Sequence, residues 1–554
     1  MKKFKFDNIN YLQLHGTEEE MAYQHGKLLS NDIQDSAIQK LASKNQFMIT
    51  QAKGILSYKI VQRMAIILYE KFLIPILSIS LPKQEKMKLK AISKGAQISY
   101  KSLLLAFYQA DGLMILSRLS LMKYLFFKFP KSELPGCSSA VVNSTQTEDS
   151  TMLVMRNQDY PIVGKWEKST LVANCTPTDN SIPYMFISSA GLHTAGLTAM
   201  NKCGITVAVH AHFGKDISLK GLPIFCISEK IVKNSKCLKD AEKIINESKT
   251  HANWTIVVTS SHEDQAIAFE ITPKTYKKRY LKNGILTHTN FFQNSDLNLN
   301  EALISGARHD DDHARIKQMK KIISSKKNRV TVEDMVSICG NHEDPHSNSK
   351  KVFGNTLSVI TTVKSVIFAP ETFTAYVSTR NKTPVGIGDF ACVTEEVFSM
   401  GKQPKVIKNP NTYENNFLKE LEIYYNSYIE GQMKGNYANA LNILTEISGK
   451  KENDPHVNLQ CAFLAIKLGK YKKSLNYLNC VETKMITPHL RNFHGHIYEL
   501  LNRKLNIDSE EQAQNPNNID RCQRITDSIK RRNDIKQVSE NIMIDMQFPE
   551  PIEY

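Results

Sequence analysis

The chain has no Cys-x-x-Cys pair: its ten cysteines lie scattered through 554 residues. That scatter excludes a dense disulfide framework and predicts reduced thiols in a reducing compartment. The N-terminus, "MKKFKFDNINYLQLHG", is basic but lacks the apolar run of a secretory leader. Without a leader, the Asn-x-Ser/Thr triplets at Asn143, Asn246, Asn253 and Asn381 read as chance. The stretch Leu134 to Cys137 imitates a lipoprotein cleavage box, with nothing export-like before it. The expectation is a cytoplasmic protein, a non-standard export route being left open.

Long apolar runs are also missing. The richest, "AIILYEKFLIPILSISLP" (65–82), is interrupted by Glu70 and Lys71, short of the ~18–20 residues that span a bilayer. A second, "LMILSRLSLMKYLFFKFP" (113–130), mixes basic residues with leucine and phenylalanine. These stretches read either as buried core helices or as an amphipathic surface touching a membrane or walling an acyl pocket. With 71 basic against 55 acidic residues the formal charge is +16, which suits nucleic acid, anionic membranes or acidic substrates. The lysines are scattered and carry no nucleic-acid signature, so no nucleic acid partner is expected.

What is present is 41% apolar content, enough for sizeable cores and two or three domains. Residues 1 to about 130 read as mostly helical, and "GTEEEMAYQHGKLL" (16–29) opens with Thr17 and Glu20 in capping-box spacing. From Cys137 onward short β-branched runs take over ("SSAVVNS", "TMLVMRN", "GITVAVHAH", "WTIVVTS", "TLSVITTVKSVIFAP"). Helical blocks at 227–248 and 313–325 interrupt them. The texture is that of an α+β layered domain with antiparallel sheets. Past 410 strands vanish, and "GNYANALNIL" from Gly435 recurs as "GKYKKSLNYL" from Gly469. That 34-residue offset is the period of a tetratricopeptide repeat, a helix pair whose array offers a groove to peptides or partner helices. The predicted segments are 1–136, mostly helical; 137–405, catalytic; 410–505, helical repeats; and 506–554, a basic polar tail.

The chemistry gathers at "ELPGCSSAVVNS" (133–144). A turn delivers Cys137 to the head of a strand, and a hairpin through "TQTEDS" returns "RNQD" (156–159) beside it. Arg156 and Asp159 then come within reach of the thiol. If Gly136–Cys137 is a bond to be cut, Cys137 gains an α-amine with pKa ~7.7–8.0 that can take the thiol proton, ordinarily held to ~8.5. No separate histidine base is required. The bland reading is an ordinary turn with Cys137 as a small buried hydrophobe. A papain-like reading needs a histidine base whose local signature is absent. Two further clusters, "HDDDH" (309–313) and "CGNHEDPH" (339–346), read as a helix N-terminus and a polar loop rather than metal sites. No metal and no cofactor enter the expected chemistry.

Residues 8 to about 400 resemble the family of N-terminal-nucleophile cysteine hydrolases that includes acyl-coenzyme A:6-aminopenicillanic acid acyltransferase. Bile-salt hydrolase and penicillin V acylase are more distant relatives. The resemblance rests on "LHGTEEEMAYQHGKLL", "GCSSAVV", "RNQDY", "GLTAMNKCGITVAVHAH", "ILTHTNFF" and "ARHDDDHARIKQM". It implies a four-layer αββα sandwich, followed here by the tetratricopeptide-like all-α region, and self-cleavage at Gly136–Cys137. It implies Cys137 as nucleophile and, through its amine, as base, with Arg156 and Asp159 tuning and orienting it. Asn290 would donate its amide to the oxyanion. His210 occupies the place where the bile-salt branch carries an oxyanion asparagine, a departure from the pattern. Arg315 matches the later active-site arginine, with Arg308 competing for the role. The implied reaction moves an apolar or fatty acyl group from a small-molecule amide or thioester through acyl-Cys137 to water or an amine. The alternative is a repeat-based interaction protein with a degenerate hydrolase domain.

Overall fold

The computed structural model describes residues 2–38, 59–116, 136–160, 163–298, 306–327, 329–352, 354–448 and 454–505. The second apolar stretch beyond residue 116, Leu134 and Pro135 before the predicted cut, and the basic tail 506–554 lie outside them.

In chain order the strands open with β1 (Lys2–Phe6), β2 (Ile9–Gly16), β3 (Gly136–Val142) and β4 (Leu153–Asp159). β5 (Thr170–Pro177), β6 (Tyr184–Ser189), β7 (Thr198–Asn201) and β8 (Ile205–His212) follow. Next come β9 (Asn253–Ser260), β10 (Gln265–Ile271), β11 (Tyr276–Tyr280) and β12 (Ile285–His288). After a two-residue hairpin of β13 (Glu343–Asp344) and β14 (Ser349–Lys350), the run ends with β15 (Thr362–Ala369), β16 (Thr374–Ser378), β17 (Phe390–Val393) and β18 (Lys405–Ile407). One sheet has the order β1-β2-β5-β6-β7-β8-β9-β10-β11, the other β12-β3-β4-β15-β16-β17-β18. Pairing is antiparallel except between β2 and β5, which run parallel with Asn10 opposite Leu171.

Alternation along the strands decides which side chains meet. Val172, Ile187 and Val257 of the first sheet share one buried cluster with Val141, Val154 and Phe368 of the second. The opposite face of the first sheet, with Ala173, Phe186 and Val207, takes Met21, Ile227 and Ala241 from helices Glu18–Leu28, Ile224–Asn234 and Leu238–Asn246. The opposite face of the second, with Ala140, Met155 and Ile367, takes Met319 and Val336 from helices Gly306–Ser325 and Val332–Cys339.

Helix Glu18–Leu28 begins as its sequence dictates. Glu20 Oε2 accepts the Thr17 N–H at 2.8 Å, and Thr17 Oγ1 accepts the Glu20 N–H at 3.3 Å. Its Gly26 lies against helix Lys83–Ala96 so closely that a Cβ would stand 2.6 Å from the Ile92 carbonyl oxygen. A buried ionic cluster joins these helices to Ile224–Asn234: Lys88 meets Glu85 at 3.1 Å and Glu229 more closely, and Lys233 meets Glu18 at 2.6 Å. The first sixteen residues depart from the mostly helical reading of 1–130. β1 and β2 sit in the first sheet, and β2 finds its parallel partner some 160 residues downstream, at Leu171 opposite Asn10.

Between 415 and 505 the described residues form the helices Asn415–Tyr428, Tyr437–Leu444, Pro455–Lys467, Tyr471–Asn479 and Pro488–Lys504. Gly435 (φ 68°) and Gly469 (φ 73°) turn the chain into the second helix of each of two pairs, a left-handed conformation that glycine adopts without strain. Ala440 and Ser474, at matching positions, are fully buried. This block is no detached module. Its core of Leu421, Tyr424, Leu444, Phe463 and Ile466 is continuous with Val163, Val352 and Ile360 of the sheet region.

Candidate active site

The β3–β4 hairpin sets the site. Gly136 pairs with Asp159, Cys137 with Gln158, Ser138 with Asn157 and Ser139 with Arg156. Each polar atom of Cys137 is met by a different residue. Arg156 Nη2 donates to Sγ at 3.3 Å, the Cys137 N–H donates to Asn290 Oδ1 at 2.7 Å, and Arg315 Nη1 donates to the Cys137 carbonyl at 2.9 Å. All four residues are buried.

Arg156 is held by more than sulfur. Its guanidinium also donates to the carbonyls of Leu197 and Val209 and to the Thr198 hydroxyl, so a side chain of the second sheet is tied to β7 and β8 of the first. Arg315 donates to Ser138 Oγ at 2.8 Å and to Asp311 at 3.0 Å, and pairs with Asp312. Asp312 Oδ1 in turn accepts the Asn290 N–H at 3.1 Å. The "HDDDH" run, expected at a helix start, lies inside helix Gly306–Ser325, and two of its carboxylates position two of the three residues that meet Cys137, Arg315 and Asn290. Arg308, two helical turns before Arg315, stands 3.9 Å from Asp312. The arginine that reaches Cys137 is Arg315.

Burial pushes the Cys137 thiol above its ordinary range; Arg156 and Arg315 pull against it and Asp159 adds to it. Burial likewise raises the Asp159 carboxyl, against the pull of Arg315, of the Thr362 hydroxyl bonded at 2.7 Å, and of Arg308 and Arg156. A Cβ on Gly136 would stand 3.0 Å from Asp159 Oδ2, so any larger residue here would press the carboxylate back by a few tenths of an ångström.

Two expected placements differ. The Asn290 atom turned toward Cys137 is its carbonyl oxygen, while Nδ2 donates to the Ala211 carbonyl at 3.1 Å. His210 points between the sheets, its Nε2 2.9 Å from Ser139 Oγ, because the two-residue period of β8 sends Val209 and Ala211 the other way. Burial holds the His210 imidazole well below its usual range, so it stays neutral.

Val209 and Ala211 wall a cavity of about 40 Å³ together with Cys137, Arg156, Phe107, Leu197, Phe225 and Trp254. That volume takes a water-sized guest, so a longer acyl chain needs a wall to move. A larger cleft, about 560 Å³, lies between Lys165, Lys168 and the helical block at Tyr425 and Ile429; its lining includes none of the Cys137 group. Sequence reading missed the aromatic walls Phe107, Phe225 and Trp254, which come from three separate segments. It saw the acidic run but not what Asp311 and Asp312 hold. His342, in the second candidate metal run, bonds the Lys351 carbonyl at 3.1 Å. Among the described residues no group of three or more His, Cys, Asp or Glu could hold a metal ion.

Behind the cavity Trp254 Nε1 donates to Asp111 Oδ1 at 2.9 Å, and burial raises that carboxyl to about 7. The unfolded chain releases this proton in the ordinary carboxylate range, near 3.8, whereas the folded chain keeps it to about 7. Folded stability from this group is therefore greatest below that range and falls as pH climbs to about 7. Asp111→Asn is expected to flatten the decline, read as melting temperature between about pH 4 and about pH 8; an unchanged slope would count against a buried, protonated Asp111.

Residues 145–383 match the family model of acyl-coenzyme A:6-aminopenicillanic acid acyl-transferase, and over this span the chain resembles that family. The match holds Arg156, Asp159, His210, Asn290, Arg308 and Arg315 and begins at Thr145, past Gly136 and Cys137. Two crystal structures of altered forms of conjugated bile acid hydrolase from Clostridium perfringens are similar at 12% and 11% identity. They cover 50% of this chain and 97% and 98% of theirs, with TM-scores of 0.31 and 0.30. No curated protein matches the chain in sequence. The family match supports an enzyme of the acyltransferase kind over residues 145–383.

Proposed function

We propose that the protein is a self-processing cysteine hydrolase or acyltransferase whose nucleophile, Cys137, is freed by cleavage of the Gly136–Cys137 bond. The observation that carries this reading is the convergence of Arg156, Asn290 and Arg315 on the sulfur, nitrogen and carbonyl oxygen of one residue. A structural cysteine needs only apolar neighbours; this one has its backbone nitrogen and its sulfur separately provided for.

In processing, the Cys137 thiol attacks the Gly136 carbonyl. The new C–S bond replaces the peptide C–N bond, the thiol proton ends on the released nitrogen, and water then frees the Gly136 carboxylate and restores the thiol. In turnover, the α-amine takes the thiol proton and the thiolate attacks the substrate acyl carbonyl. The leaving amine or thiol collects the proton, and water or an amine resolves acyl-Cys137. Asn290 Oδ1, which accepts the Cys137 N–H, would hold the amine along with Asp159. The second hydrogen on Asn290 Nδ2 would meet the oxyanion. Arg156 lowers the thiol pKa by its charge.

The packing suits an αββα sandwich, with helices outside each sheet and the site at one end between them. It also suits fragments that stay together after the cut. β1 and β2 precede it yet belong to the first sheet, and the buried cluster joins Glu18, Glu85 and Lys88 from one side to Glu229 and Lys233 from the other. Apolar cavity walls favour an apolar acyl group, and the paired helices beyond 410 suit a tetratricopeptide-like array. The test is a trap. Protein mixed with a panel of N-acyl amino acids, ceramide-like amides and acyl-thioesters, quenched in acid and mapped by peptide mass, is expected to carry one acyl group on Cys137. Turnover without acylated Cys137, or acyl groups only on other cysteines, would overturn the assignment.

A further inference from the structure

The helical stretch from Met64 to Ile79 carries apolar side chains on both its buried and its exposed side. Helix Lys59–Leu68 runs through a π-helical turn, Tyr69–Leu73, into helix Ile74–Ile79. Tyr69, Leu73, Ile74 and Leu77 are buried against the protein. On the other side Met64, Ile67, Leu68, Phe72, Ile76 and Ile79 form a stripe at helical spacing and are between 43% and 78% exposed. A surface helix ordinarily turns a polar face to water. Contiguous exposed apolar side chains of this kind mark an interaction surface.

The charge around the stripe selects the partner. Arg63 and Lys71 are exposed beside it. Between residues 59 and 101 there are nine basic residues and two acidic ones. Glu70 is paired with Lys101 at 2.5 Å, and Glu85 is buried against Lys88 at 3.1 Å. An apolar stripe edged by a net excess of positive charge is complementary to an anionic bilayer, which offers hydrocarbon beneath a layer of negative headgroups. No helix among the described residues is long and apolar enough to cross a membrane, so the contact is one of lying in the surface. We infer that the face made by Met64, Ile67, Leu68, Phe72, Ile76 and Ile79 docks the protein onto anionic phospholipid membranes. The docked helix adjoins the candidate site: Tyr108 Oη donates to the Leu77 carbonyl at 3.1 Å, and Ala106 and Phe107 of the same segment wall the cavity. Membrane binding does not depend on the catalytic reading and is tested apart from it.

The full chain is sedimented with vesicles of phosphatidylcholine alone and of phosphatidylcholine with phosphatidylserine. Binding to the anionic vesicles is expected, weakening with salt and with loss of phosphatidylserine. Phe72→Glu combined with Ile79→Glu is expected to lower affinity by about tenfold or more, and Arg63→Glu with Lys71→Glu to abolish the preference for phosphatidylserine. Circular dichroism and melting temperature check that both variants fold, as surface positions should allow. The inference is overturned if wild-type protein stays in solution with anionic vesicles, or if both variants bind as wild type does. It is equally overturned by concentration-dependent dimers that Phe72→Glu with Ile79→Glu dissolves while vesicle binding is absent, since the face would then serve a second copy.

Discussion

Cys137→Ala is expected to leave one uncut chain and to lower acyl turnover by roughly 10⁴-fold or more, to the background of the uncatalysed reaction. The size follows from chemistry rather than folding. Alanine keeps the backbone N–H for Asn290 and the carbonyl for Arg315, and loses only the sulfur that Arg156 faces. The variant should melt close to wild type while losing both processing and acyl transfer. If Cys137 were merely a buried small hydrophobe, the same substitution would cost a little stability and leave turnover standing. Measuring melting temperature and turnover on one preparation separates the two.

The second large effect is at Arg156. Burial pushes the thiol up and Arg156 is the nearest charge pulling it down. Replacing it with Gln removes that pull, so the thiolate forms at higher pH. Turnover at neutral pH is expected to fall about 10²–10³-fold, the range typical for loss of one preorganised electrostatic partner. The rising limb of the pH–rate profile should move to higher pH, with part of the activity recovered there. Some stability will go as well, because the carbonyls of Leu197 and Val209 lose a charged donor. The pH profile tells the roles apart. A residue that only braced the sheets would lower activity equally at every pH, and Arg156→Lys would restore stability without shifting the limb.

Much of the site was legible because it is local. The β-branched runs and the polar turn between them announced the hairpin, and a hairpin fixes which residues stand opposite Cys137. The parallel pairing of β2 with β5 was not legible: "NYLQLHG" carries no mark of a partner at 171–177, and a long-range pairing leaves no local signal. Arg308 and Arg315 lie on one face of one helix two turns apart, so sequence pattern left both open; in the folded chain Arg315 donates to the Cys137 carbonyl, and Arg308 stands beside Asp312. His210 shows how sharp the period of a strand is. It lies in β8, yet one residue either way, at Val209 or Ala211, faces the cavity instead. Which end of the Asn290 amide meets Cys137 is a matter of the Ala211 carbonyl competing for its N–H, and no sequence states that. The helical character beyond 410 was legible from the matching stretches at Gly435 and Gly469, but the core this region shares with Val352 and Ile360 was not.

The central claim is tested most directly by the N-terminal sequence of active, purified protein. Two fragments that co-purify are expected, the second beginning Cys-Ser-Ser-Ala at Cys137. A single chain, turning over acyl substrates while carrying no new terminus at Cys137, would contradict it.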